Sequence, residues 1–125
     1  MTLPVIYWVS FALLLITKAA DVFSTIRFVS TDAETNPWAR KLFFRFGFKF
    51  GLGIISAVFL IIAGTQYVMV WWFCTPMVQA LNVGLGVLIS WIQWDVARFN
   101  KTGTHSGMTL LALQCYRLWA HCWRD

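Results

Sequence analysis

Hydrophobic positions along this chain come in long blocks, not in alternation. The first covers residues 3–20, with one charge, Lys18, near its end. A block of that length reads as a membrane-spanning helix, which needs about 20 predominantly apolar residues. Pro4 suits a first helical turn. The helix is expected to continue to about Val29, which puts Lys18, Asp21 and Thr25 on one face by spacings of three and four. Residues 30–36 are the only clearly polar run and read as a loop. Asn36 followed by Pro37 reads as a helix cap and first turn. From Pro37 the cations Arg40, Lys41, Arg45 and Lys49 alternate with Trp38, Phe43, Phe44, Phe46 and Phe48. Lys41, Arg45 and Lys49 lie four apart and share a face. Aromatics with snorkelling cations suit a membrane interface. The apolar core then runs from Phe50 to Ala63 or as far as Phe73, so one helix is expected over 37–73.

Two turns are possible after it, at Gly64-Thr65-Gln66 or at Cys74-Thr75-Pro76. The second leaves two spans of sensible length, and Gly and Thr are tolerated inside transmembrane helices. The third span is then about 76–99. Its Gln79, Asn82, Gly86 and Gln93 fall in a narrow sector at 100° per residue, a polar seam facing protein. Residues 100–107 read as a loop and 108–124 as a last helix. That helix is short for a span and interrupted by Arg117; Trp119, Trp123, Arg117 and Arg124 suit the interface. The expected fold is all-α integral membrane: three transmembrane helices plus a C-terminal interfacial amphipathic helix, in one domain.

Composition agrees. Of 125 residues 59 % are hydrophobic and 12 % charged, against about 25 % charged in soluble domains. A soluble globular domain and a disordered chain are both excluded. The net charge is +5. A basic, aromatic-rich chain can bind nucleic acid, but here the cations fall in two blocks, Lys18–Lys49 and Arg98–Arg124. The positive-inside rule accounts for them. It puts the N-terminus outside, residues 21–49 inside, the 64–76 turn outside and the C-terminus inside, in an inner membrane. The expected partners are the lipid bilayer, with anionic lipids at the basic cytoplasmic face, and no nucleic acid. The first span has no positive n-region, and Lys18 sits poorly at a signal cleavage site, so it is expected to be retained.

Candidate chemistry is sparse. Cys115 and Cys122 share a helix face beside His121, but a metal site needs more ligands at recognisable spacings. No metal or cofactor is expected. No P-loop, HExxH or paired CxxC is present. In Gly103-Thr-His-Ser-Gly107 the serine is fourth, not third as in a nucleophile elbow, and the segment reads as a loop. The informative cluster is Asp21, Thr25, Glu34, Asn36 and Lys49. A charge at the bilayer centre costs roughly 2.5–3.5 kcal/mol on insertion scales. On a structural reading Asp21 pairs with Lys49 while Glu34 and Asn36 cap the second helix. On a functional reading the five form a small pocket for an ion, proton or lipid headgroup.

The elements Asp21-Val-Phe-Ser-Thr25, Glu34-Thr-Asn36-Pro37 and Gly47-Phe-Lys49 resemble a prokaryotic family of small, uncharacterised polytopic membrane proteins. Its pattern is Asp followed by Ser/Thr-Thr, then Glu-x-Asn-Pro, then a Lys in the next span. The resemblance covers about residues 5–65; Ser30-Thr-Asp-Ala33 departs from the Gly usual before the Glu. It implies a three- or four-helix membrane fold in which Asp21, Thr25, Glu34, Asn36 and Lys49 act as one unit. It implies no activity.

Small residues four apart let helix backbones approach closely in lipid. Gly47/Gly51 and Gly53/Ala57 are such pairs on the second span, and Ala80/Gly84 on the third. Three helices leave more such faces than one subunit covers. The leading expectation is therefore a non-enzymatic membrane protein acting through helix–helix assembly, as a homo-oligomer or as a subunit of a membrane complex. Gly51→Leu or Asn82→Leu is expected to impair that assembly. The alternatives are an oligomeric, holin-like conduit lined by Gln79, Asn82 and Gln93, and an interfacial lipid-acting enzyme using Asp21 or Glu34 as acid or base.

Overall fold

A computed structural model of the chain describes residues 2–29, 37–104 and 107–122. The described residues form five helices: α1 (Leu3–Phe28), α2 (Pro37–Phe46), α3 (Phe48–Phe73), α4 (Pro76–Thr102) and α5 (Gly107–Cys122). The chain is an all-α membrane protein. Helices α1, α3 and α4, of 26, 26 and 27 residues, are long and apolar enough to cross a bilayer. At about 1.5 Å per residue each reaches nearly 40 Å, beyond the ~30 Å hydrocarbon core. The 16 residues of α5 fall short of that thickness, at about 24 Å.

Helix α3 passes through Gly64-Thr65-Gln66 and ends at Phe73; the chain turns at Cys74 and Thr75, and Pro76 opens α4. Polar backbone at 64–66 would lie within the hydrocarbon, where only a continued helix satisfies it. Gln79 Nε2 donates to the carbonyls of Trp71 and Cys74 (3.0 and 3.4 Å), closing the turn.

Two boundaries differ from expectation. The single helix expected over 37–73 is broken at Gly47, whose φ of 86° and ψ of 157° is a conformation essentially confined to glycine. Gly47 N–H closes α2 on Phe43 O, and its carbonyl accepts from Gly51 N–H to open α3, both at 2.9 Å. The break folds α2 back onto the first turns of α3, where Ala39, Phe43 and Leu52 form a small core with Val22 of α1. The loop expected from residue 100 begins only at Gly103, a left-handed cap with φ 74° whose N–H bonds Phe99 O. Asn100 therefore belongs to α4, and it is bonded to α1.

Pairings between helices fix the topology. Tyr7 meets Asn82, Thr17 meets Gln93, and Ser24 and Thr25 meet Asn100, with sequence separations of 75, 76, 76 and 75. A constant separation means that α1 and α4 run parallel in fixed register. Helix α3 runs antiparallel to both, with Tyr67 beside Tyr7 and Phe59 beside Lys18. An aromatic cluster of Tyr7, Trp8, Phe11, Tyr67 and Trp71, with ring centroids 4.7–5.7 Å apart in its closest pairs, holds α1 to α3 at one end.

Candidate functional site

The buried face of α1 is Tyr7, Ser10, Leu14, Thr17 and Ser24, a repeat of three and four residues completed by half-buried Asp21. Spacing of this kind keeps one seam facing a neighbour along the whole helix. Most of these side chains are polar, and they meet a matching strip on α4: Asn82, Gly86, Ser90 and Gln93. Between these helices the bilayer supplies no hydrophobic driving force, so close packing and hydrogen bonds carry the association.

The bonds form a connected set in one half of the bundle. Gln66 Nε2 donates to Asn82 Oδ1 (2.6 Å), and Asn82 Nδ2 donates to the Tyr7 hydroxyl (3.1 Å). Tyr7 donates to Tyr67 O (2.7 Å). The Tyr67 hydroxyl meets Ser10 Oγ at 3.1 Å, and Ser10 donates to Tyr7 O (2.7 Å). Since Ser10 has one proton and gives it to that carbonyl, Tyr67 is the donor in their contact. The absence of a side chain at Gly86 makes room for this tyrosine: a β-carbon there would overlap the Tyr67 hydroxyl. Deeper along the seam Thr17 Oγ1 donates to Gln93 Oε1 (2.9 Å). Among the described residues no buried side-chain nitrogen or oxygen lacks a partner.

The five-residue cluster expected around Asp21 is arranged differently. Asp21 pairs with Lys18, one turn earlier on the same helix, at 2.9 Å, where the structural reading had Lys49. The break at Gly47 restarts the helix, so Lys49 leaves the register of Lys41 and Arg45 and stands exposed in the first turn of α3. Lys18 also lies over the Phe59 ring, 5.0 Å from its centroid. It sits ten residues before the α1 C-terminus, about 15 Å along the axis, within a helix long and apolar enough to cross a bilayer. Both partners are largely buried, with side-chain exposures of 14 % and 18 %. Thr25 does not join them through its side chain; its hydroxyl donates to Asp21 O (2.8 Å) and accepts from Asn100 (3.2 Å). Glu34 and Asn36 lie outside the described residues.

The small-residue pairs separate into two classes. Gly51 faces α2, where a β-carbon would stand 2.8 Å from the Phe43 ring and 3.2 Å from the Leu42 backbone. It is thus a packing position within the subunit, and Gly47 is the bend that creates the contact. Gly53 and Gly84 have nothing within 4 Å of the place a β-carbon would occupy, and their partners Ala57 and Ala80 are exposed.

Tyr7, Ser10, Thr17, Ser24, Gln66, Tyr67 and Asn100 belong to the network but were not singled out from the sequence. The three-four spacing on α1 was the available signal. Among the described residues no three His, Cys, Asp or Glu side chains come together to hold a metal ion. No protein-family model, curated protein or solved structure matches the chain.

Proposed function

We propose that this is a small non-enzymatic multi-pass protein of the inner membrane that acts through helix–helix assembly, with itself or with a membrane partner. The observation that carries this reading is the outward, unfilled face of Gly53 and Ala57 on α3. Of the two small-residue pairs on that helix, the first is used by α2. The second offers a second chain the close backbone approach on which association in lipid depends. The amides that a conduit would need at its lining are engaged within the subunit instead. Asn82 and Gln93 are buried and bonded within the subunit, and Gln79 caps α3.

The orientation proposed is N-terminus outside and C-terminus cytoplasmic. Parallel α1 and α4 end on the same side, so Arg27, Arg98 and Lys101 gather with the cations of α2 and Lys49. The opposite end, with the Cys74-Thr75 turn, carries no Lys or Arg. This asymmetry supports a cytoplasmic basic end, with α5 lying at that interface. In a variant whose other two cysteines are serine, Cys74 should react with an impermeant maleimide from the outer side.

Native mass spectrometry of the full chain released from its own membrane tests assembly. A defined multimer, or a complex with a second chain, is expected. Gly53→Leu should dissociate it, whereas Asn82→Leu should lower subunit stability and leave the stoichiometry intact. A bare monomer in the wild type refutes the proposal.

A further inference from the structure

At the basic end, α1 and α4 enclose a cleft of about 590 Å³. Two small residues, Ala20 and Ala97, are among those that line it. The hydrogen bonds from Asn100 to Ser24 and Thr25 (3.1 and 3.2 Å) tie the helices together at the same level. The cleft does not depend on assembly; it is formed by one subunit.

The chemistry of the walls changes along the membrane normal. The deeper walls are Phe23 and Trp94, 62 % and 59 % exposed. Arg27 stands four residues beyond Phe23 on α1 and Lys101 seven beyond Trp94 on α4, with Arg98 between Trp94 and Lys101. Four and seven residues correspond to about 6 and 10 Å, the scale on which a phospholipid passes from acyl chain to headgroup. Aromatic side chains at that depth and cations beyond them match the interfacial preferences of both residue types.

Charge decides which lipid. No carboxylate lines the cleft, although buried Asp95 stands one turn before Arg98 on α4. Two helix C-termini also meet here, each equivalent to roughly half a negative charge. Together with Asp95 they offset about two of the three positive charges and leave the cleft net positive, a field that a headgroup of net negative charge complements and a zwitterionic one does not. Two guanidinium groups add the fork geometry that binds phosphate oxygens bidentately.

We infer that this cleft is a binding site for one anionic glycerophospholipid, its phosphate held by Arg27, Arg98 and Lys101 and an acyl chain lying against Phe23 and Trp94. The wall gradient runs parallel to the orientation that a cytoplasmic-leaflet lipid must adopt. A free phosphate ester would leave the aromatic half of the site unused.

The test is native mass spectrometry of the full chain in mild detergent, titrated separately with dioleoylphosphatidylglycerol, dioleoylphosphatidylcholine and soluble glycerol 3-phosphate. The wild type should retain phosphatidylglycerol at least tenfold more strongly than phosphatidylcholine and should not retain glycerol 3-phosphate. The double variant R27Q/R98Q should lose that preference. R40Q/R45Q, which removes the same charge from α2, should keep it, as should R27K/R98K in large part. The site is overturned if the two glutamine variants lose phosphatidylglycerol equally, or if the wild type holds both lipids alike. Equal retention of glycerol 3-phosphate overturns the lipid assignment in favour of a soluble anion. Unchanged helical circular dichroism in R27Q/R98Q keeps unfolding from imitating the expected loss.

Discussion

Gly86 and Tyr67 are expected to be energetically coupled, and the size of the coupling follows from their contact. A β-carbon at position 86 overlaps the tyrosine hydroxyl. The ring cannot swing aside freely. It is 2 % exposed, packs 4.7 Å from Phe11 and 5.0 Å from Tyr7, and gives its proton to Ser10. Forcing extra volume into such a site costs about 1–3 kcal/mol. Replacing glycine inside a helix returns about 1 kcal/mol of propensity. Gly86→Ala alone should therefore destabilise by up to about 2 kcal/mol. Tyr67→Phe alone loses one interhelical hydrogen bond, worth on average about 0.6 kcal/mol in a membrane protein, and leaves Ser10 bonded to Tyr7 O. In the double variant the overlapping atom is gone. The ring carbon that bore it stays at 3.2 Å, which calls for only a slight shift, so Gly86→Ala becomes neutral or mildly stabilising. The coupling is then at least about 1 kcal/mol, beyond the 0.3–0.5 kcal/mol scatter typical of independent sites. Reversible unfolding in mixed micelles, followed by far-ultraviolet circular dichroism, gives all four stabilities. Additive effects of the two substitutions would show that Tyr67 does not fill the space left by Gly86, and would refute the close approach of α3 to α4 at this level.

Lys18 and Asp21 should behave as a pair: Lys18→Met or Asp21→Asn leaves one ionisable group uncompensated inside the hydrocarbon, at a cost of order 2.5–3.5 kcal/mol. The combined variant should cost less than the sum, since both charges leave together; strict additivity in the same unfolding assay contradicts the pairing. Gly47→Ala should cost about 1–3 kcal/mol because its positive φ disfavours any β-carbon, although a β-carbon there would meet no neighbouring atom. Limited proteolysis should find α2 released from α3 in that variant, and an unchanged cleavage pattern would mean that the bend does not depend on glycine.

How much was legible in the sequence follows from particular residues. The three apolar blocks, their turn at Cys74-Thr75 and the basic end could be read because each depends on local quantities. Hydropathy averages over a window, and in lipid an apolar segment of this length must satisfy its own backbone as a helix. The sector of Asn82, Gly86 and Gln93 could be read for a similar reason, since helical phase is a local property. The partners of those residues could not. Tyr7, Thr17 and Asn100 meet them through a register between two helices some 75 residues apart, and a few polar side chains in an apolar window barely alter its mean. Gly51 and Gly53 carry the same small-residue signal, and only the position of α2 gives the first an inward role and leaves the second open.

The sequence by itself determined the solvent in which this chain folds, the number of spans and the end at which its cations gather. The tertiary structure decided the rest. It set α1 parallel to α4, gave Asp21 to Lys18 and left Lys49 exposed, and opened a basic cleft where two helices end together. The physical reason is that burial in lipid selects helices without ranking the ways they can be rotated and slid against one another. That ranking comes from close packing at Gly86 and Gly51, from hydrogen bonds such as Asn82–Tyr7, and from one backbone bend at Gly47, all of which exist only once the helices have met.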